Sequence, residues 1–111
     1  MRKTCVRSKY DMPYTVVAIV KAVCADYERR GKVIRQGAAS DDVRDSYARL
    51  NEAVDDALLL VEEGIRDEML RDIIWGRGYD SSTASPYISK NAFYRRKRQI
   101  VHHIAVVLAL I

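Results

Sequence analysis

Residues that could support catalysis or metal binding are few in this sequence and stand apart from one another. The chain has two histidines, His102 and His103, and two cysteines, Cys5 and Cys24. Structural zinc sites use close ligand pairs such as Cys-x-x-Cys, and no such pair is present. The histidines have no cysteine or carboxylate near them in sequence, so we interpret them as surface or core residues. We expect no metal site and no nucleophile–base pair.

Four carboxylates cluster within residues 62–68, at Glu62, Glu63, Asp67 and Glu68. Glu63 and Asp67 are four residues apart and would share a helical face. The Glu-x-x-His partner of helical carboxylate metal sites is missing, so this pattern favours a solvated acidic face. No glycine-rich phosphate loop or Gly-x-Ser-x-Gly element occurs. The sequence predicts a protein that is not an enzyme and needs no cofactor; a small helical enzyme is only a formal alternative.

Positive charge is concentrated near the C-terminus. The net charge is only +4, but residues 81–111 contain no Asp or Glu. The cations of this segment bunch at Lys90, Arg95, Arg96, Lys97 and Arg98. A helix opening with such residues suits the major groove, where its first turns meet bases and its further cations neutralise phosphates. The alternative is a solvated basic face on an ordinary amphipathic helix.

The same segment resembles a known family. The matching stretches are Tyr79-Asp80, the run Ile-Ser-Lys-Asn-Ala-Phe-Tyr-Arg-Arg-Lys-Arg at 88–98, and Ile-Ala-Val-Val-Leu at 104–108. They are similar to the C-terminal part of phage transcriptional regulators of the ArpU and RinA type, which themselves resemble the DNA-reading fourth region of sigma factors. The shared pattern is a serine cap, a Phe-Tyr-Arg run and an Ala-x-x-Leu tail, over roughly the last third of the chain.

This resemblance implies a DNA-binding regulator of phage or prophage genes, with duplex DNA as its partner and RNA polymerase as a further candidate. The residues that it places toward the bases are Ser89, Lys90, Asn91, Tyr94 and Arg95. Those that it places toward the DNA backbone are Arg96, Lys97 and Arg98. The spacing departs from a compact helix-turn-helix, whose turn has three or four residues. About a dozen residues separate Trp75 from Ser89, so either a short helix lies within 81–87 or the geometry is different.

Apolar residues recur at helical spacing, which predicts an all-α fold. The first helix begins near Asp11-Met12-Pro13 and continues to a point between Gly31 and Gln36, with Gly37 as the firmer stop. Its apolar stripe comprises Val16, Val20, Val23, Tyr27 and Ile34.

The second helix is expected to begin at Ser40, whose hydroxyl can accept an otherwise unpaired amide. A heptad follows at Val43, Tyr47, Leu50, Val54, Ala57, Val61 and Ile65. Such a stripe needs a partner helix, so we expect an antiparallel hairpin with the first helix. We predict a bend or a new helix at Gly64. Trp75, which ends this pattern, is expected to anchor the core, the alternative being a base-stacking platform.

A loop over 76–88 and a basic helix over 89–111, capped by Ser89, complete the prediction. The apolar positions of that helix are Ala92, Phe93, Ile100, Ile104, Val107, Leu108 and Ile111. The chain is thus one helical domain over 1–111: a long hairpin at 10–75, the loop, and a helix-turn-helix-like C-terminal unit in a small bundle.

The expected setting is the cytoplasm, without membrane contact. The longest apolar run, Ile104 to Ile111, is too short to span a bilayer. No signal peptide is evident, and the cysteines are expected to be reduced. We expect a homodimer formed through the N-terminal helices. The competing function is a non-enzymatic helical interaction module whose basic helix binds an acidic protein partner.

Overall fold

The computed structural model describes residues 11–37 and 39–111, and in these ranges the protein is an all-α bundle without strands. Cys5 and the start of the expected hairpin at residue 10 lie outside the described residues. The helices are α1 (Tyr14–Ala25), α2 (Tyr27–Gln36), α3 (Asp41–Leu58), α4 (Arg66–Trp75) and α5 (Lys90–Val107). Single 3₁₀ turns occupy Glu63–Ile65 and Tyr79–Ser81. No helix in these ranges combines the length and apolar composition needed to cross a bilayer.

Several helix boundaries match the local signals in the sequence. The Ser40 hydroxyl accepts a hydrogen bond from the Val43 amide at 3.3 Å, which satisfies one of the unpaired amides that begin a helix. Gly37 ends α2 in the left-handed conformation with φ +65°, which glycine adopts without steric cost. Gly31 lies inside α2. These predictions are confirmed.

The first helix is not continuous, because it breaks at Asp26. Beyond the break α2 pairs with α3, whereas α1 packs on α4 and α5. The predicted hairpin is therefore formed by α2 and α3, and α1 covers the other side of the core.

A buried arginine lies beside this break. Arg30 is only 2% exposed; its Nε donates to Asn51 Oδ1 at 2.8 Å and its Nη2 to the Val23 carbonyl at 2.5 Å. The Asn51 amide in turn donates to the Tyr27 carbonyl at 3.2 Å. Carbonyls on both sides of the break thus have side-chain partners, as buried polar groups require.

One continuous apolar core lies between the helices. Its fully buried larger side chains are Phe93, Met69, Ile73, Ile100, Ile104, Val20, Val54 and Cys24. The later half of the predicted α3 stripe contributes to this core through Val54, Ala57, Val61 and Ile65, whereas Val43 is exposed. On the last helix Phe93, Ile100 and Ile104 are buried, but Val107 and Ile111 are about half exposed.

The prediction that Trp75 anchors the core is wrong, because its side chain is 68% exposed. The buried stripe of α4 comprises Met69, Asp72 and Ile73. Trp75 follows Ile73 by two residues, about 200° around a helix, and so points away from the core.

Candidate nucleic-acid interface

The connection between α4 and α5 contains no α-helix. A 3₁₀ turn at Tyr79–Ser81 is followed by hydrogen-bonded turns, one closed by the Tyr87 amide and the Ala84 carbonyl at 2.8 Å. The Tyr79 hydroxyl lies 2.7 Å from the Ser85 carbonyl oxygen and 2.6 Å from that of Ile88. Of the two geometries left open by the sequence, the structure therefore has the one without a short helix at 81–87, and the loop is held by its own polar contacts.

Ser89 begins α5 as predicted. Its hydroxyl accepts a hydrogen bond from the Ala92 amide at 3.2 Å. The first turn of α5 contains no acidic residue. The partial positive charge at the N-terminal end of the helix is therefore not neutralised by a carboxylate of that turn. The surface carboxylate of Asp80 lies 3.8 Å from the Lys90 ammonium, a weak exposed pair.

Lys97 forms an ion pair with a buried carboxylate. Its ammonium lies 2.8 Å from Oδ2 of Asp72, a carboxylate that is 3% exposed. The other oxygen of Asp72 accepts a hydrogen bond from the Gly78 amide at 2.6 Å. Gly78 has φ +90° and lies close to the Tyr94 hydroxyl, so a side chain here would be strained. Asp72 thus joins α4, the connecting loop and α5.

Tyr94 also makes contacts within the protein. Its hydroxyl accepts a hydrogen bond from the Tyr79 amide at 2.9 Å, and its half-buried ring packs edge-on against Phe93, with centroids 5.3 Å apart. The resemblance placed Tyr94 toward the bases and Lys97 toward the DNA backbone. The structure gives both side chains intramolecular partners: the connecting loop supplies the Tyr79 amide to Tyr94, and α4 supplies Asp72 to Lys97.

Four exposed polar side chains of the first three turns form a surface that we call the basic face: Lys90, Asn91, Arg95 and Arg98. Asn91, Arg95 and Arg98 follow at steps of four and three, so they share one side of the helix. Within the described ranges neither Arg95 nor Arg98 has a carboxylate within 4.0 Å. Two guanidinium groups on this face are therefore available to an external anion.

A shallow groove of about 230 Å³ lies beside the basic face. Arg95, Arg96, Ala92, Tyr87 and Glu62 are among its lining residues. Arg96 is half-buried and donates to Gln99 Oε1 at 2.8 Å, so it is less free than Arg95. The sequence did not reveal this groove, because Glu62 is brought beside α5 only by the tertiary fold.

Among the described residues no three His, Cys, Asp or Glu side chains converge as metal ligands. Cys24 is buried, and burial raises the pKa of its thiol to about 12, an effect that nearby Arg30 partly offsets. His102 and His103 are half-buried.

Comparison of the chain with protein-family models, with curated protein sequences and with solved structures finds no match.

Proposed function

We propose that this protein is a non-enzymatic, cytoplasmic DNA-binding regulator that contacts duplex DNA through the basic face of α5. The observation that carries the proposal is the pair Arg95 and Arg98, exposed on one side of a capped helix and without a carboxylate partner among the described residues. Guanidinium groups in this setting bind phosphate oxygens, and they form bidentate hydrogen bonds with guanine edges in the major groove.

The N-terminal end of α5 supports the same partner. Lys90 and Asn91 occupy the first turn after the Ser89 cap. Unpaired amides and the helix dipole favour an anion at such an end. Asn91 adds an amide side chain of the kind that reads adenine through paired hydrogen bonds. Cations and a base-reading group are thus presented together on about two turns of helix.

The resemblance to ArpU and RinA type regulators, a phage or prophage origin and RNA polymerase as a partner stay predictions. The expected homodimer also stays a prediction. It is supported by two exposed apolar side chains of α1, Tyr14 at 84% and Ile19 at 46%, because large exposed apolar side chains on one helix favour a helical partner. Sedimentation equilibrium at increasing concentration measures this association.

Replacement of both free arginines tests the proposed interface. The variant Arg95→Ala/Arg98→Ala should bind duplex DNA at least about tenfold more weakly than the unmodified protein, since two phosphate or base contacts are lost. The matched control is Lys32→Ala/Arg35→Ala, which removes two exposed cations from α2. Fluorescence anisotropy with a labelled duplex measures both.

Equal affinity of the two double variants would show that DNA binding follows net charge alone, and it would contradict an interface on α5. Salt-sensitive binding to an acidic protein, without binding to duplex DNA, would favour the interaction module over the regulator. Circular dichroism of each variant verifies that the helices are retained.

A further inference from the structure

We infer that Tyr87 belongs to the DNA interface and that its hydroxyl donates a hydrogen bond to a backbone phosphate of the duplex that the basic face contacts. This inference rests on the proposed function and extends it to a residue outside α5. The starting observation is that Tyr87 is 76% exposed, whereas the other tyrosine of the same loop, Tyr79, is half-buried with its hydroxyl bonded.

The backbone of Tyr87 is fixed although its ring is in solvent. Its amide donates to the Ala84 carbonyl at 2.8 Å, and Ala84 is 1% exposed. The next residue, Ile88, packs against the core. The ring is thus held at the surface by anchors on both sides, and binding there would cost little ordering of the backbone.

The surroundings of the ring identify the ligand chemistry. Tyr87 lines the same groove as Arg95 and Arg96. The acidic lining residue is Glu62, so two cations face one anion and the groove is complementary to a phosphate. A phenol is a neutral donor that binds phosphate oxygens beside arginines in protein–DNA interfaces. Tyr87 precedes the N-terminal end of α5, which would enter the major groove of the DNA. The group that Tyr87 meets is therefore a backbone phosphate rather than a base.

The variant Tyr87→Phe removes only the hydroxyl and tests the inference directly. We expect it to weaken binding to every duplex sequence by about three- to tenfold, the value of one hydrogen bond. Its dependence on salt should be unchanged, because no charge is lost. Ser46→Ala is the control, since it also removes one exposed hydroxyl, from α3, and Ser46 does not line the groove.

A second variant uses the acidic residue of the groove. Glu62→Gln removes the repulsion between this carboxylate and a phosphate, so we expect it to bind duplex DNA more tightly than the unmodified protein. Anisotropy with labelled duplexes of two unrelated sequences, at low and at moderate salt, measures all variants.

Two results would overturn the inference, and they differ in what they imply. If Tyr87→Phe bound duplex DNA as tightly as the unmodified protein while Arg95→Ala/Arg98→Ala bound weakly, Tyr87 would be excluded from the interface and the proposed function would remain. Absence of duplex binding by the unmodified protein would remove the proposed function and the inference together.

Discussion

Lys97 and Arg98 are neighbours on α5, yet their side chains have opposite environments. Lys97 reaches the buried carboxylate of Asp72, whereas Arg98 is exposed and has no carboxylate within 4.0 Å in the described ranges. In the sequence both belong to one run of cations. The difference arises because Asp72 is brought to this side of α5 by the packing of α4, a contact between distant parts of the chain.

Replacement of each neighbour by methionine should separate these roles. Lys97→Met leaves Asp72 buried and without its cation, so we expect a loss of about 3 kcal/mol in the free energy of unfolding. Arg98→Met changes an exposed position and should alter it by no more than about 0.5 kcal/mol. Urea denaturation followed by circular dichroism measures both. Equal stability of the two variants would show that the Asp72–Lys97 pair contributes nothing to the fold.

The Cys24 thiol provides a test that depends on pH. Its pKa of about 12 means that roughly one thiol in ten thousand is ionised at pH 8, and the thiolate is the reactive form. In the variant Cys5→Ala, where Cys24 is the remaining cysteine, we expect an aromatic disulfide reagent to label the native protein at least about a hundredfold more slowly than the urea-unfolded protein. Equally fast labelling of both states would contradict burial of Cys24.

The same group makes stability fall at alkaline pH. The pKa of an unfolded cysteine thiol is about 8.5, whereas that of Cys24 in the folded protein is about 12. The unfolded chain therefore loses its proton first, and the stabilising contribution declines as pH rises above about 8.5. Tyr27 acts in the same direction, because its hydrogen bond to Asp55 raises the pKa of the phenol to about 12.

At the scale of helices, local signals predict boundaries well. Ser40, Gly37 and Ser89 occupy the cap positions expected of them because caps depend on residues within one turn. The break at Asp26 was not predicted. Beside it Arg30 binds Asn51, a contact between α2 and α3 that cannot be recognised from one segment of sequence. The exposed Trp75 was also mispredicted, because the apolar pattern does not show that Asp72, with its contacts to Gly78 and Lys97, is one of the buried residues of α4.

The cap of α5 is testable by a single substitution. Ser89→Ala removes the acceptor for the Ala92 amide, so we expect a loss of about 1 kcal/mol in the free energy of unfolding. Ser46→Ala is the control, because Ser46 is exposed inside α3, where alanine is at least as favourable as serine. Urea denaturation compares them. A Ser89→Ala protein as stable as the Ser46→Ala protein would exclude a structural role for this cap.

At the scale of the whole molecule, the fold class follows from helical periodicity, whereas the candidate interface follows only in part. The sequence indicated α5 as the basic element, and the exposed positions Lys90, Asn91, Arg95 and Arg98 agree with that expectation. It did not separate them from Tyr94 and Lys97, because that separation depends on where the loop and α4 lie.

The most direct measurement of the central claim is the affinity of the unmodified protein for a labelled random duplex at about 50 and 200 mM salt. Three phosphate contacts, from Lys90, Arg95 and Arg98, would give a slope of about −2.7 in log affinity against log salt, and so a loss of about 40-fold between these concentrations. Binding with that slope, reduced by about two in Arg95→Ala/Arg98→Ala, is the predicted result. No binding at 50 mM salt, or an affinity indifferent to salt, would contradict a DNA interface on α5.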